Sequence, residues 1–107
     1  VPEPAAVHKK RMRHDWFDEA KHEFAEAARF YHWEQPGLEE DFIEEVGRAV
    51  TRIIETPDLH REFDPPFRKA KTDRFPYQIV FVIDGEKVLV VAVMHQSRRP
   101  GYWKERL

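Results

Sequence analysis

Hydrophobic spacing changes once along this chain. Between Asp18 and Ile54 apolar side chains recur every three or four residues; between Phe67 and His95 they alternate or run continuously. Only helices bury the first pattern on one face, and only strands bury the second. In the first run, Ala20, Phe24, Ala27, Ala28 and Tyr31 share a stripe, separated by Glu19, Lys21, Glu23 and Glu26. Pro36-Gly37 breaks it. A second stripe comes next with Leu38, Phe42, Val46, Ala49, Val50, Ile53 and Ile54, closed by Thr56-Pro57. Five acidic residues, Glu39, Glu40, Asp41, Glu44 and Glu45, load its first half, where carboxylates favour the helix dipole. Their clustering places Glu44 and Glu45 on a solvated face.

Strands are expected at Arg11 to Phe17, Phe67 to Asp73, Phe75 to Ile83 and Val88 to His95. In the third of these, Tyr77, Ile79, Phe81 and Ile83 lie on one face. Asp84-Gly85 marks a two-residue hairpin into the last, which is apolar on both faces and belongs inside the sheet. The polar link from Asp58 to Pro66 cannot be helical through Pro65-Pro66. The expected fold is α+β: a two-layer sandwich of an N-terminal strand, a helical hairpin, a three-stranded antiparallel meander and a short basic-aromatic C-terminal segment.

A length of 107 residues suits one domain, here residues 11–107 behind a flexible leader at residues 1–10. The leader lacks the apolar stretch of a signal peptide, which makes the cytoplasm the expected location. Without cysteine there is no disulfide, thiolate metal site or thiol catalysis. The longest apolar run, Val88 to Met94, is far short of the ~20 residues of a membrane helix. Charge is divided: residues 1–57 carry 8 Lys/Arg against 13 Asp/Glu, and residues 58–107 carry 10 against 7. Arg98, Arg99, Lys104 and Arg106 concentrate in the last segment among Tyr102 and Trp103.

Arranged in order, these parts resemble the RelE/ParE superfamily of bacterial toxins from type II toxin–antitoxin modules. The resemblance runs over residues 11–106. It is carried by Glu23 to Tyr31, by Gly37-Leu38 with Phe42 and Glu45-Val46, and by Ile54 with Pro57. It continues through Arg74-Phe75-Pro76-Tyr77-Gln78-Ile79, Val90 to Val93, His95, Arg98-Arg99-Pro100, Tyr102-Trp103 and Arg106. It implies a cognate antitoxin whose C-terminal segment wraps the helices and sheet in a hetero-oligomer, and it implies no cofactor. It leaves two activities open, because fold does not fix function. RelE-like members cleave mRNA on the ribosome; ParE-like members bind DNA gyrase without cleaving RNA.

Under the nuclease reading the resemblance gives Arg74 a phosphate contact, His95 acid–base work and Tyr102 a place in the active site. Each also has a structural alternative: Arg74 as a surface ion-pair partner, His95 as a strand-end hydrogen-bonding group. Under the binding reading Arg98, Arg99, Lys104 and Arg106 meet the target, since Arg and aromatic residues dominate interface hot spots. Trp103 is expected to be structural. The remaining histidines, His8, His14, His22, His32 and His60, show no metal-ligand spacing. A net charge of −2 suits RNA binding poorly. Together with the resemblance of Phe-Pro-Tyr, His, Arg-Arg-Pro and Tyr-Trp to the ParE-like branch, it favours a toxin that binds rather than cleaves.

Overall fold

The computed structural model describes residues 12–107. The expected leader, residues 1–10, and Arg11 lie outside the described residues. Two helices, α1 (Asp18–Glu34) and α2 (Leu38–Glu55), form an antiparallel hairpin across one face of a sheet. The strands are β1 (Arg13–Trp16), β2 (Glu62–Asp64), β3 (Phe67–Lys71), β4 (Tyr77–Asp84) and β5 (Lys87–His95), ordered β1-β5-β4-β3-β2. The helices end close to where the sequence places them. Gly37 supplies the left-handed turn between them with φ 100°, which a β-carbon would oppose.

The strands depart from expectation in three places. The polar link contains a fifth strand, β2, three residues long and paired antiparallel with β3. So short an edge strand shows no alternation for a sequence reading to detect. β3 ends at Lys71 and β4 begins at Tyr77, so Thr72, Asp73, Phe75 and Pro76, expected in strands, lie in a turn over residues 72–76. Asp84 pairs with Lys87, so the hairpin turn is Gly85-Glu86, one residue later than expected. Gly85 adopts φ 64° there, as primed hairpin turns require.

On the helix side of the sheet, Phe42 is the centre of packing. Its ring centroid lies 5.1–5.8 Å from those of Phe24, Tyr31, Phe75 and Tyr77. Such aromatic pairs add about 0.5–1.5 kcal/mol each beyond the area they bury. The opposite face is closed by the C-terminal segment. Trp103, 1% exposed, packs at a tilt against Phe67 with ring centroids 4.6 Å apart and donates its indole N–H to Met94 Sδ at 3.3 Å.

β5 lies between β1 and β4 and carries an irregularity that redistributes its side chains between the two layers. Phe81 opposes Val90, whereas Val80 opposes Ala92, so Val91 is an extra residue in β5. Because of this bulge, Val88, Val90 and Val93 all face the helices, while Val91, Ala92 and Met94 face the C-terminal segment. The parallel pairing with β1 stops at Val90, and the Phe17 N–H donates to the Val90 carbonyl at 3.0 Å as the chain turns into α1. Beyond that point no strand among the described residues covers the outer edge of β5.

Two stability measurements check this packing. Trp103→Ala should lower unfolding free energy by about 3–5 kcal/mol in chemical denaturation, the range for deleting a buried large aromatic. The second concerns His60, whose ring stands edge-on to Phe81 at 5.6 Å and whose pKa burial pushes below its ordinary 6.5. The unfolded chain therefore takes up a proton that the folded chain refuses. Stability should fall as pH drops below about 6.5, and His60→Phe should flatten that dependence in thermal melts.

Candidate functional site

A cleft of about 590 Å³ opens between α1 and the uncovered edge of β5. From α1 it is lined by His22, Glu23, Glu26, Ala27 and Phe30; from the sheet by Tyr77, Val93 and His95; and from the C-terminal segment by Ser97 and Arg98. Its walls are apolar at Ala27, Phe30 and Val93, and Arg98 brings a cation to its margin. Phe30 is 54% exposed, and Trp33, one turn further along α1, is 78% exposed. Large bare aromatics at helical spacing beside a cleft form a surface suited to a partner's apolar side chains.

Glu23 is at the centre of this region. It projects from α1 toward the sheet, and its side chain is only 13% exposed. One oxygen accepts the Val93 N–H at 2.9 Å; the other accepts the Tyr102 hydroxyl at 2.7 Å. Arg106 donates to both oxygens, at 3.1 and 2.7 Å, and again to the Val91 carbonyl at 2.9 Å. A two-pronged arginine–carboxylate pair is among the strongest polar contacts a protein makes. It is needed here because the bulge and the end of β1 leave the Val91 carbonyl and the Val93 N–H without a strand partner on the outer edge. Burial, and then the Glu23 carboxylate accepting its hydrogen bond, push the Tyr102 pKa well up, so the hydroxyl stays a donor at physiological pH. The Arg106 pKa is likewise raised, chiefly by its hydrogen bonds to Glu23.

The residues singled out in the sequence fall into distinct places. His95 and Arg98 line the cleft; Arg74 does not. The Ser97 N–H donates to His95 Nδ1 at 3.0 Å, with Ser97 Oγ 2.8 Å away, while Tyr77 stands edge-on to the imidazole at 5.1 Å. Arg74 lies in the turn after β3, 3.6 Å from Asp41 and 5.4 Å from the Phe75 ring centre. Its backbone N–H, like that of Asp73, is held by Glu45 at 2.9–3.1 Å. Glu45 is therefore buried, at 4% exposure, and not on a solvated face. The turn needs an acceptor for two inward-pointing amides, and α2 supplies it.

Within the basic segment the four cations differ. Arg98 lies 4.1 Å over the Tyr102 ring and Arg106 5.0 Å from it, so the ring is contacted by both guanidinium groups. Arg106 is turned inward onto Glu23. Lys104 is ion-paired with Asp64 of β2. Arg98 and Arg99 are exposed and make no ion pair among the described residues. No group of acidic or histidine side chains among the described residues is arranged to hold a metal ion.

The family described as "ParE toxin of type II toxin-antitoxin system, parDE" has a sequence model that matches residues 15–100. The chain belongs to the ParE toxin family. It is thus a ParE-type toxin of a type II toxin–antitoxin system, a family in which the toxin has an antitoxin partner. A solved structure titled "Chromosomal ParDE TA system from P. aeruginosa" shares the fold, with a TM-score of 0.71 at 13% identity. The match covers 79% of this chain and 96% of that one. No curated protein matches the sequence significantly. No helix among the described residues is long and apolar enough to cross a membrane.

Of the residues lining the site, sequence reasoning missed Glu23, Glu26 and Phe30 as site-forming. The position of Glu23, three residues from Ala20 and four from Ala27, was the available sign that it borders the buried stripe. Removing the carboxylate leaves the Arg106 guanidinium buried without its partner. Glu23→Ala should therefore cost roughly 3–5 kcal/mol of stability. Glu23→Gln, which keeps an acceptor but loses the charge, should cost less; equilibrium unfolding in urea separates the two.

Proposed function

We propose that this toxin arrests growth by binding a cytoplasmic protein target, with DNA gyrase the leading candidate, and that its antitoxin neutralises it by occupying the cleft between α1 and β5. The observation that carries this reading is the way Arg98 is held. It is stacked on a tyrosine whose hydroxyl is itself fixed by a buried carboxylate. A side chain ordered before its partner arrives loses less entropy on binding, and arginine on an aromatic ring is a frequent centre of interface affinity. Arg99 extends the same surface. Of the remaining two cations, Arg106 serves to hold this arrangement, and Lys104 ties the segment to β2.

The antitoxin reading rests on the cleft itself. An amphipathic segment can place apolar side chains on Phe30, Trp33 and Ala27 and a carboxylate on Arg98. Covering Arg98 would also hide the proposed target surface, which links antitoxin binding to neutralisation. The competing reading, ribosome-dependent mRNA cleavage, draws support from His95 and Arg98 sharing one cleft. It lacks Arg74 there, and Tyr102, its third residue, is occupied by Glu23.

Point substitutions test the two readings better than truncation, because deleting residues 98–107 would also remove Trp103 from the core. Arg98→Glu combined with Arg99→Glu should abolish growth arrest and inhibition of gyrase supercoiling while leaving thermal stability nearly unchanged. His95→Ala should leave growth arrest intact. Loss of toxicity in His95→Ala, together with codon-phased cuts in ribosome-bound mRNA, would establish cleavage instead.

A further inference from the structure

The same contacts that order the C-terminal segment lie on the open edge of β5. Val93 directs its N–H away from β4 toward Glu23, and the Val91 carbonyl points to Arg106. Strand geometry sends the Val93 carbonyl and the His95 N–H outward on the same side. The outer edge from Val91 to His95 thus has the hydrogen-bonding groups of a strand that could pair again. Uncovered edges of apolar strands are templates for sheet extension, and β5 is among the most apolar segments of the chain. Two charged side chains stand on this edge, both largely withdrawn from water, at 13% and 15% exposure.

We propose that Glu23 and Arg106 are an edge guard: they occupy the positions through which a second copy of this chain would extend the sheet, and so keep the toxin monomeric. The favoured intruder is a second copy because the edge is self-complementary. In an antiparallel pairing about a two-fold axis, the Val93 carbonyl and His95 N–H of each copy meet the same groups of the other. With the guard in place, an approaching strand meets a guanidinium on Val91 and a carboxylate on Val93, and pairing would require their hydrogen bonds to β5 and to each other to be broken. Surface charges elsewhere on the molecule do not have this effect, since they bond no backbone group of β5.

Replacing both ions by apolar side chains of similar reach leaves no buried charge unpaired, so the fold is retained while the edge is exposed. Wild type should sediment as a monomer at about 100 μM. The double variant Glu23→Met with Arg106→Met should sediment as a dimer at the same concentration, with the His95 amide at least roughly tenfold better protected from hydrogen exchange than at about 1 μM. Adding Val93→Pro, which removes an outward N–H that β4 does not use, should restore the monomer. If the double variant fails to fold by circular dichroism, Glu23→Gln with Arg106→Leu, which frees the Val91 carbonyl, leaves no buried charge and keeps an acceptor for the Tyr102 hydroxyl, should shift sedimentation toward dimer. A folded variant that remains monomeric at that higher concentration overturns the proposal, as does a wild-type dimer with concentration-dependent protection at His95.

Discussion

A single carboxylate, that of Glu23, joins three parts of the molecule by directed hydrogen bonds. It comes from a helix, meets a strand amide left bare by a bulge, and receives a tyrosine and an arginine from the chain's last turn. A buried ion pair of this kind is not inherently a large source of stability, because both charges must leave water. Its value lies in direction. Hydrophobic contact at Trp103 can hold the C-terminal segment against the sheet, but contact alone does not decide which way Arg98 points. Four hydrogen bonds to one carboxylate do.

The bulge at Val91 is what makes this arrangement possible. An ordinary strand would alternate strictly, sending Val90 to the helices and Val93 to the opposite face. One inserted residue sends both to the helices and turns Ala92 and Met94, in place of Val93, to the C-terminal segment beside Val91. The extra residue also disrupts pairing where β1 ends. The edge this exposes lies beside the cleft, so an irregularity in one strand creates both the opening and the need for a charged cover.

Much of the fold was legible because the two helices each bury a broad stripe and the main strands are long. β2 was not legible, since three residues in a proline-bounded link carry no period. The turn at residues 72–76 was hidden for a different reason: Thr72 and Asp73 continue the alternation of β3 in the sequence, and only the acceptor on α2 shows that the chain has already bent away. Glu45 was misread as solvated, and Glu23 was passed over. In helices rich in glutamate every carboxylate looks solvated, and the two that are not solvated are distinguished by distant backbone amides, 70 and 28 residues away for Val93 and Asp73. Among the basic residues, composition identified the segment but could not rank its members. Arg98 and Arg106 have the same chemistry, and only packing turns one outward and the other inward.

The separation of Glu23 from Arg106 has a consequence for synthesis. The two stand 83 residues apart, and β1 waits almost as long for its partner, since the Asp15–Lys87 contact spans 72. Contacts so distant in sequence form late, and a chain made from its N-terminus has both helices before it has β5. A nascent chain, or one clipped before Arg106, would therefore carry Arg98 without the support that orients it. That support would come only after Arg106 has left the ribosome and is free to reach Glu23.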